Sequence, residues 1–509
     1  MKPILAVLTV LTACALVACS SSGSNQTVPA NTYPTGSAPS TTGNAVLARV
    51  VGVGDSLTAG EESDGLVGVT AANPLFPGSS VTPEIVASQP FGFWADLYNQ
   101  IAASPISATG GAAANAVLPL IQSPGIGTFL VFNSTGTSLI SPQTSCGGLN
   151  ASAFTVSGAL STRVNPSVTP LDVAVPGQLV HEALYQIAPQ GPCQAVSAGA
   201  GSLFGAETTN FYPILANFPG MTQIQAARSL KPTLTTVWLG HNDLLKYALS
   251  GGAFGPTPAS SIQSDLTTIV QTLQQAGSQV VIGNLVDVLT TPLFVSIPNL
   301  PVGATDPIMT DIAILTSGAI TGATPGATTL VSNVITTNNL TAGSYLTFAA
   351  VPAVITYVAS GGAAPVPTGL VAAGEALPAA FATQVQTENN AYNTAIAAVA
   401  ASTGATLVDI HSVYTQLLAG TYAPALIAPP PAAHPCCFLV PFGGLTGNDM
   451  LHPSYTGYAL IANLWIAAIN QKFGTTITAV NVPAINAMDP YAPNSAVFGL
   501  GTRRGGTAP

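Results

Sequence analysis

Short, mainly apolar runs alternate with segments of helical spacing along much of the chain. The runs that predict strands buried on both faces are residues 45–53, 170–175, 233–239, 278–285 and 405–410. The segments whose apolar residues recur at helical spacing are 91–103, 179–187, 258–276, 377–402 and 454–472. Alternating strands and helices form a parallel sheet covered on both faces. The pattern therefore predicts an α/β fold, a three-layer α/β/α sandwich with a central parallel sheet.

Two long segments interrupt this alternation, at about residues 60–165 and 290–374. Within them, residues 97–162 and 312–374 carry no charge and are rich in Thr, Val, Ala and Gly. Loops of this length in a compact domain are usually functional or disordered. We interpret the two segments as large, partly β insertions. Neither contains a continuous apolar stretch of about eighteen residues, so we expect neither to span a membrane.

The first residues have the features of an export leader. Lys2 precedes the apolar stretch 4–13, and Leu-Val-Ala-Cys19 follows. This ending resembles the lipobox of bacterial lipoproteins, whose leader is removed before a cysteine that is then acylated. The resemblance implies a signal peptide over residues 1–18 and a membrane anchor on Cys19. A plain secretory signal is the alternative.

The chain after the leader divides by composition. Residues 19–44 are rich in Ser, Thr, Gly and Pro, without charge, and predict a flexible tether. We expect the main domain over residues 45–475 and a C-terminal extension over residues 476–509. Ser20 resembles the sorting residue that directs lipoproteins to the Gram-negative outer membrane, so the expected location is exported and lipid-anchored there.

The charge content limits the classes of partner. Only 6% of the 509 residues are charged, the formal net charge is −10, and no basic cluster is present. A nucleic-acid partner is therefore excluded. Low charge with high apolarity suits a lipid surface or apolar substrates, and it equally fits a compositional habit of the source organism.

Four cysteines remain after the leader and the anchor, Cys146, Cys193, Cys436 and Cys437. An even number of cysteines in an exported chain predicts disulfides, with three possible pairings that the sequence does not distinguish. His434 lies beside two of them, but no second cluster has the spacing of metal ligands, so we expect no metal.

The segment Gly54-Asp55-Ser56-Leu57 follows the first predicted strand. Residues at the carboxyl ends of parallel strands form the active sites of open α/β sheets, so Ser56 is a candidate nucleophile. A serine needs a general base and a carboxylate that orients it. Asp449 and His452, in one short segment before the last predicted helix, can supply both. A capping aspartate and a structural histidine are the alternative.

Donors for an oxyanion follow two other predicted strands. Gly177 comes after the strand at 170–175 and offers a backbone N–H. Asn242 comes after the strand at 233–239 and offers a side-chain amide. The N–H of Ser56 would complete the set. Taken singly, each of these residues is more readily explained as part of a turn.

Together these motifs, in this order, resemble the SGNH (GDSL) hydrolase family. The resemblance implies a flavodoxin-like α/β/α fold and an esterase or lipase that needs no cofactor. It implies a catalytic triad of Ser56, His452 and Asp449, with an oxyanion hole formed by Ser56, Gly177 and Asn242. The alternatives are a carbohydrate O-acetyl esterase or acyltransferase of this fold, and a non-catalytic surface-binding lipoprotein. Asp172 stands where the family often has Asn.

The remaining polar residues are assigned structural roles. We expect His181, His411 and His434 to be structural or exposed, and Asp55 and Asp243 to brace their turns. The substrate is expected to be an ester. The charge-free insertions suggest a roof over an acyl-chain pocket, which favours lipid-like or short-to-medium acyl esters.

Overall fold

The structure is a computed structural model. It describes residues 43–63, 65–69, 71–72, 84–85, 87–102, 117–122, 125–127, 131–132, 139–140, 163–186, 212–316, 318–418, 445–447 and 449–489. The expected signal peptide, Cys19, the four candidate disulfide cysteines and His434 lie outside these residues. Most of the expected first insertion also lies outside them.

The described residues form thirteen strands and thirteen helices, together with five 3₁₀ turns. The strands are β1 (Val50–Gly54), β2 (Gly65–Leu66), β3 (Ala71–Ala72), β4 (Glu84–Ile85), β5 (Ile126–Gly127), β6 (Val131–Phe132), β7 (Leu139–Ile140), β8 (Leu234–Trp238), β9 (Gln279–Gly283), β10 (Phe294–Ile297), β11 (Ser344–Thr347), β12 (Ala376–Leu377) and β13 (Thr406–Val408). The helices are α1 (Ser56–Ala59), α2 (Phe93–Ile101), α3 (Val180–Tyr185), α4 (Gln223–Ser229), α5 (His241–Leu249), α6 (Ala259–Gln275), α7 (Pro307–Leu315), α8 (Ala327–Thr337), α9 (Val351–Ala359), α10 (Ala379–Thr403), α11 (Ile410–Leu418), α12 (Tyr455–Phe473) and α13 (Val482–Met488). The 3₁₀ turns are Gly43–Leu47, Gln89–Phe91, Tyr212–Leu215, Val288–Thr290 and Phe348–Ala350.

A parallel sheet of four strands forms the centre of the fold, in the order β1-β8-β9-β13. The predicted strand at 170–175 lies on the other side of β1, where it makes a single parallel bridge between Asp172 and Gly52. The N–H of Val175 donates to the carbonyl of Gly54 at 3.1 Å. Counted with this segment, the chain follows the order 2-1-3-4-5 of a doubly wound sheet, with its switch point between β1 and β8.

Helices cover both faces of the sheet, because alternate strand residues are apolar on opposite sides. One face buries Val51, Val237 and Ile282 against α4, α6 and α10. The other face buries Val50 and Trp238 against α2 and α12. This arrangement confirms the predicted central parallel sheet between helices.

Residues 290–374 build a third apolar cluster of their own. Strands β10 and β11 pair antiparallel there beside helices α7, α8 and α9, and β12, just after this segment, pairs with β11. The sequence analysis predicted a partly β segment, and the structure adds three helices. The segment also packs on the rest of the protein, because Phe294 belongs to the core against the sheet and the N–H of Leu293 donates to the carbonyl of Met450 at 3.0 Å.

The predicted first strand is wrong over its initial residues. The strand begins only at Val50, and residues Gly43–Leu47 form a 3₁₀ turn instead. Thr233 explains the difference, because its hydroxyl donates to the carbonyl of Val46 at 2.7 Å and accepts from the N–H of Arg49 at 2.8 Å. A tertiary contact therefore overrides the apolar pattern.

None of the helices within the described ranges is long and apolar enough to cross a bilayer.

Candidate active site

The turn that carries Ser56 leads directly from β1 into α1. Asp55 caps this short helix, and its Oδ1 accepts a hydrogen bond from the N–H of Leu57 at 3.1 Å. A Cβ at Gly54 would lie 2.8 Å from the carbonyl oxygen of Trp238, so only glycine fits before the turn. Ser56 is thus held at the carboxyl end of the sheet, at its switch point. The expected role of Asp55 as a brace for the turn is confirmed.

Asp449 and His452 form a compact unit in the loop before α12. Nδ1 of His452 lies 2.6 Å from Oδ2 of Asp449, while Oδ1 of the same carboxylate accepts from the N–H groups of Leu451 and His452, each at 2.9 Å. Met450 between them has a φ of 64°, a left-handed conformation that is uncommon for a residue other than glycine. The carboxylate thus holds the imidazole in place.

The electrostatic environment of this loop keeps Asp449 ionised. Burial raises the pKa of Asp449, but the charge of His452 and the hydrogen bonds from His452 and Leu451 lower it further, so the net pKa lies below its ordinary value. Nearby Glu62 behaves in the opposite way. Burial, followed by the charges of Asp489 and Asp449, raises the pKa of Glu62 well above its ordinary value. Of these two carboxyl groups, Asp449 is therefore the one that keeps its charge.

Gly177 and Asn242 are brought to the same edge of the sheet as Ser56. Gly177 has a φ of 75° in the turn after Val175, which explains why glycine occupies it. Asn242 lies in the first turn of α5, and its Nδ2 donates to the carbonyl of Gln178 at 3.2 Å. A side-chain amide has two N–H groups, so one remains for a ligand.

Two buried polar side chains, those of Asp243 and Gln223, hydrogen-bond to the backbone near these turns. Asp243 accepts from the N–H of Val180 at 3.0 Å and from the hydroxyl of Thr257 at 2.9 Å. Burial raises the pKa of Asp243 to about 6. Sequence reasoning missed Gln223, whose Nε2 donates to the carbonyl of Gly54 at 2.6 Å and to that of Val173 at 3.0 Å. It joins the ends of two neighbouring strands, and no sequence motif marks it.

A cleft opens beside these residues. Ser56, Asn242 and His452 contribute to its wall, and its empty space, counted with open solvent at the mouth, is about 930 Å³. The apolar wall comes mainly from α11 and α12, through Ile410, Val413, Leu417, Leu460, Ile461 and Leu464. Among the described residues of the two expected insertions, only Thr291 lines this cleft. The described part of the chain thus gives no support to a roof made by the insertions.

The other histidines have different surroundings. His181 is exposed and pairs with Asp265 at 2.9 Å, and Nδ1 of His411 lies 3.2 Å from the carbonyl oxygen of Leu285. These two positions confirm the expectation of exposed or structural roles. His241 was given no role by sequence reasoning, although it stands between Gly240 and Asn242. It is buried beside the cleft and is considered separately below.

One of three comparisons with known proteins gives a match. Residues 50–465 match the family model described as GDSL-like lipase/acylhydrolase. Neither the curated proteins nor the solved structures give a match. Because the family model spans more than half of the chain, the protein belongs to the GDSL-like lipase/acylhydrolase family. It is accordingly a hydrolase.

Proposed function

We propose that this protein hydrolyses carboxylic esters through an acyl-enzyme formed on Ser56. The observation that carries the proposal is the 2.6 Å contact between His452 and Asp449 on the wall of the cleft to which Ser56 contributes. A serine hydroxyl is a weak nucleophile at its own pKa and needs a base that a carboxylate orients. The proposal is supported by the positions of Ser56 and His452 in the lining of one cleft and by the contact of His452 with Asp449.

In the proposed reaction, Oγ of Ser56 attacks the ester carbonyl and His452 takes up its proton. His452 then gives this proton to the leaving alcohol, and the acyl group stays on Ser56. A water molecule, activated by the same imidazole, releases the acid and restores the serine. Asp449 holds the imidazole in one tautomer and stabilises its cationic form.

The backbone N–H groups of Ser56 and Gly177 and the amide of Asn242 are proposed to bind the oxyanion of each tetrahedral intermediate. Donors already fixed in place stabilise the negative charge that develops on the carbonyl oxygen. Support comes from the hydrogen bond to Gln178, which fixes the amide of Asn242 beside the turn at Gly177.

The apolar wall of the cleft favours esters with an extended acyl chain. Leu417 on α11 and Leu464 on α12 are only partly buried, and both line the cleft. Apolar side chains that remain accessible in a concave site are suited to an apolar ligand. We therefore propose lipid-like esters over acetylated glycans, which need polar contacts around the sugar.

A fluorophosphonate probe tests the serine mechanism. We expect the wild-type protein to be labelled once and Ser56→Ala to lose both the label and ester hydrolysis. Ser264→Ala, at an exposed position on α6, serves as a matched serine control and should label normally. A folded wild-type protein that takes up no label would instead support the binding lipoprotein. Labelling that survives in Ser56→Ala would place the nucleophile elsewhere.

A further inference from the structure

A second histidine–aspartate pair lies behind the proposed nucleophile. His241 and Asp55 are both buried, and Nδ1 of His241 is 3.6 Å from Oδ2 of Asp55. Neither ring nitrogen of His241 has a hydrogen-bond partner among the described residues. Oδ2 of Asp55 has none among them either. Buried polar groups without partners are rare in folded proteins, because each costs free energy that a partner would offset. The proposed triad does not explain why these polar groups are buried without partners.

The pair links two turns that the proposed reaction needs. Asp55 precedes Ser56, and its other oxygen, Oδ1, already caps α1 through the N–H of Leu57. His241 precedes Asn242 at the start of α5. The His241 ring also packs edge-on against Trp238, with centroids 5.0 Å apart. The ring is therefore fixed from one side, and its Nδ1 lies near the one oxygen of Asp55 that has no other partner.

We propose that His241 is a positioning residue, which ties the turn of Ser56 to the turn of Asn242 by donating a hydrogen bond from Nδ1 to Oδ2 of Asp55. The present 3.6 Å separation is longer than a hydrogen bond. Hydrogen bonds at active sites are often long without substrate and tighten in the substrate complex. A shift of about half an ångström would close this contact and fix the distance between nucleophile and oxyanion donor.

This inference rests on the proposed ester hydrolysis at Ser56, and two substitutions separate the donor from the ring. His241→Phe keeps an aromatic ring against Trp238 and removes the donor. His241→Asn removes the ring and keeps an N–H at the place of Nδ1. We expect kcat to fall about 10- to 100-fold in His241→Phe, with KM changed less than about threefold, because misplacement by an ångström is enough for such a loss. His241→Asn should retain kcat within about fivefold of wild type.

Asp55→Asn provides the second half of the test. Asparagine caps a helix as well as aspartate, so the cap on α1 is kept while the acceptor facing His241 is replaced by an amide. In a double-mutant cycle, Asp55→Asn combined with His241→Phe should be no slower than the slower single variant. Losses of kcat that add up independently would overturn the proposal. If His241→Phe fails to fold, Asp55→Ser decides by the same fall in kcat, because serine also caps a helix and leaves no second polar atom facing His241.

A surface pair offers a matched control. His181 and Asp265 are closer together, at 2.9 Å, but the His181 side chain is 64% exposed and lies outside the cleft lining. His181→Phe should leave kcat unchanged. If His241→Phe keeps full activity while Ser56 labels normally, this inference fails and the serine mechanism stands. If the wild-type protein does not label at all, both fail together.

Discussion

Asn242 shows how one amide serves both the fold and the proposed chemistry. One N–H holds the carbonyl of Gln178 at 3.2 Å, and the other is available at the edge of the cleft. The motif from Gly240 to Asp243 could be recognised in the sequence because its residues are consecutive. The contact with Gln178 could not be predicted, because it joins two segments that come together only in the folded protein.

Removal of this amide should affect turnover more than binding. We expect Asn242→Ala to lower kcat by about 10²–10³, because a donor to the oxyanion acts mainly in the transition state. KM for a p-nitrophenyl ester should change little by comparison. Steady-state kinetics measure kcat and KM, and a thermal unfolding curve shows whether the variant is folded. A loss of kcat below about threefold would remove Asn242 from this role.

Asp243, the next residue, makes stability depend on pH. Its pKa in the folded protein is raised by burial from 3.8 to about 6, so the folded state binds more protons than the unfolded state between these values. Its contribution to stability is therefore present at low pH and lost as the pH rises through about 6. Asp243→Asn stays neutral and can still bond to Val180 and Thr257.

We therefore expect Asp243→Asn to gain free energy of unfolding, relative to wild type, by up to about 3 kcal/mol as the pH rises from 4 to 7. Urea unfolding of both proteins at several pH values measures this difference. A difference that stays constant with pH would show that the buried carboxyl does not titrate in this range.

At the scale of elements, the sequence predicted the parts that bury apolar residues at regular spacing. These were the parallel strands and helices α2, α3, α6, α10 and α12. It missed α11, because the predicted strand ran on to residue 410, where the structure already begins the helix. That omission matters for function, since α11 provides one wall of the cleft and the sequence analysis had assigned a roof to the insertions.

The groove between α11 and α12 should limit the length of the acyl chain. Leu464→Trp fills part of it, so hydrolysis of palmitoyl esters should fall about tenfold or more while butyryl esters lose less than about threefold. Rates for p-nitrophenyl esters from acetyl to palmitoyl measure the profile. Leu330→Trp is the matched control, because Leu330 is a partly buried residue of the third cluster and lies outside the cleft lining. An unchanged chain-length profile in Leu464→Trp would contradict the assignment.

At the scale of the whole molecule, the third apolar cluster is distinct from the two that sandwich the sheet. The sequence placed this segment, 290–374, between predicted strands. It could not show that the segment buries its own core, because its apolar residues follow no single period. The hydrogen bond from Leu293 to Met450 is one contact between this segment and the loop of His452.

This separation predicts that damage to the third cluster leaves the chemistry intact. Ile335 on α8 is fully buried there, and Ile335→Ala should cost about 2–5 kcal/mol of stability. We expect kcat/KM at low temperature to stay within about twofold of wild type, while thermal unfolding begins earlier. Ile269→Ala, in the core against the sheet, is the comparison. A large loss of kcat/KM in folded Ile335→Ala would show that the cluster shapes the site.

The Asp449–His452 pair has one more consequence, which follows from its closeness in the chain. The two residues proposed as acid and base lie three positions apart and are joined by local hydrogen bonds. Any displacement of this loop carries both residues together, so it changes their separation from Ser56 and leaves their mutual geometry intact. A recombination event that exchanges the loop would likewise transfer a complete acid–base pair.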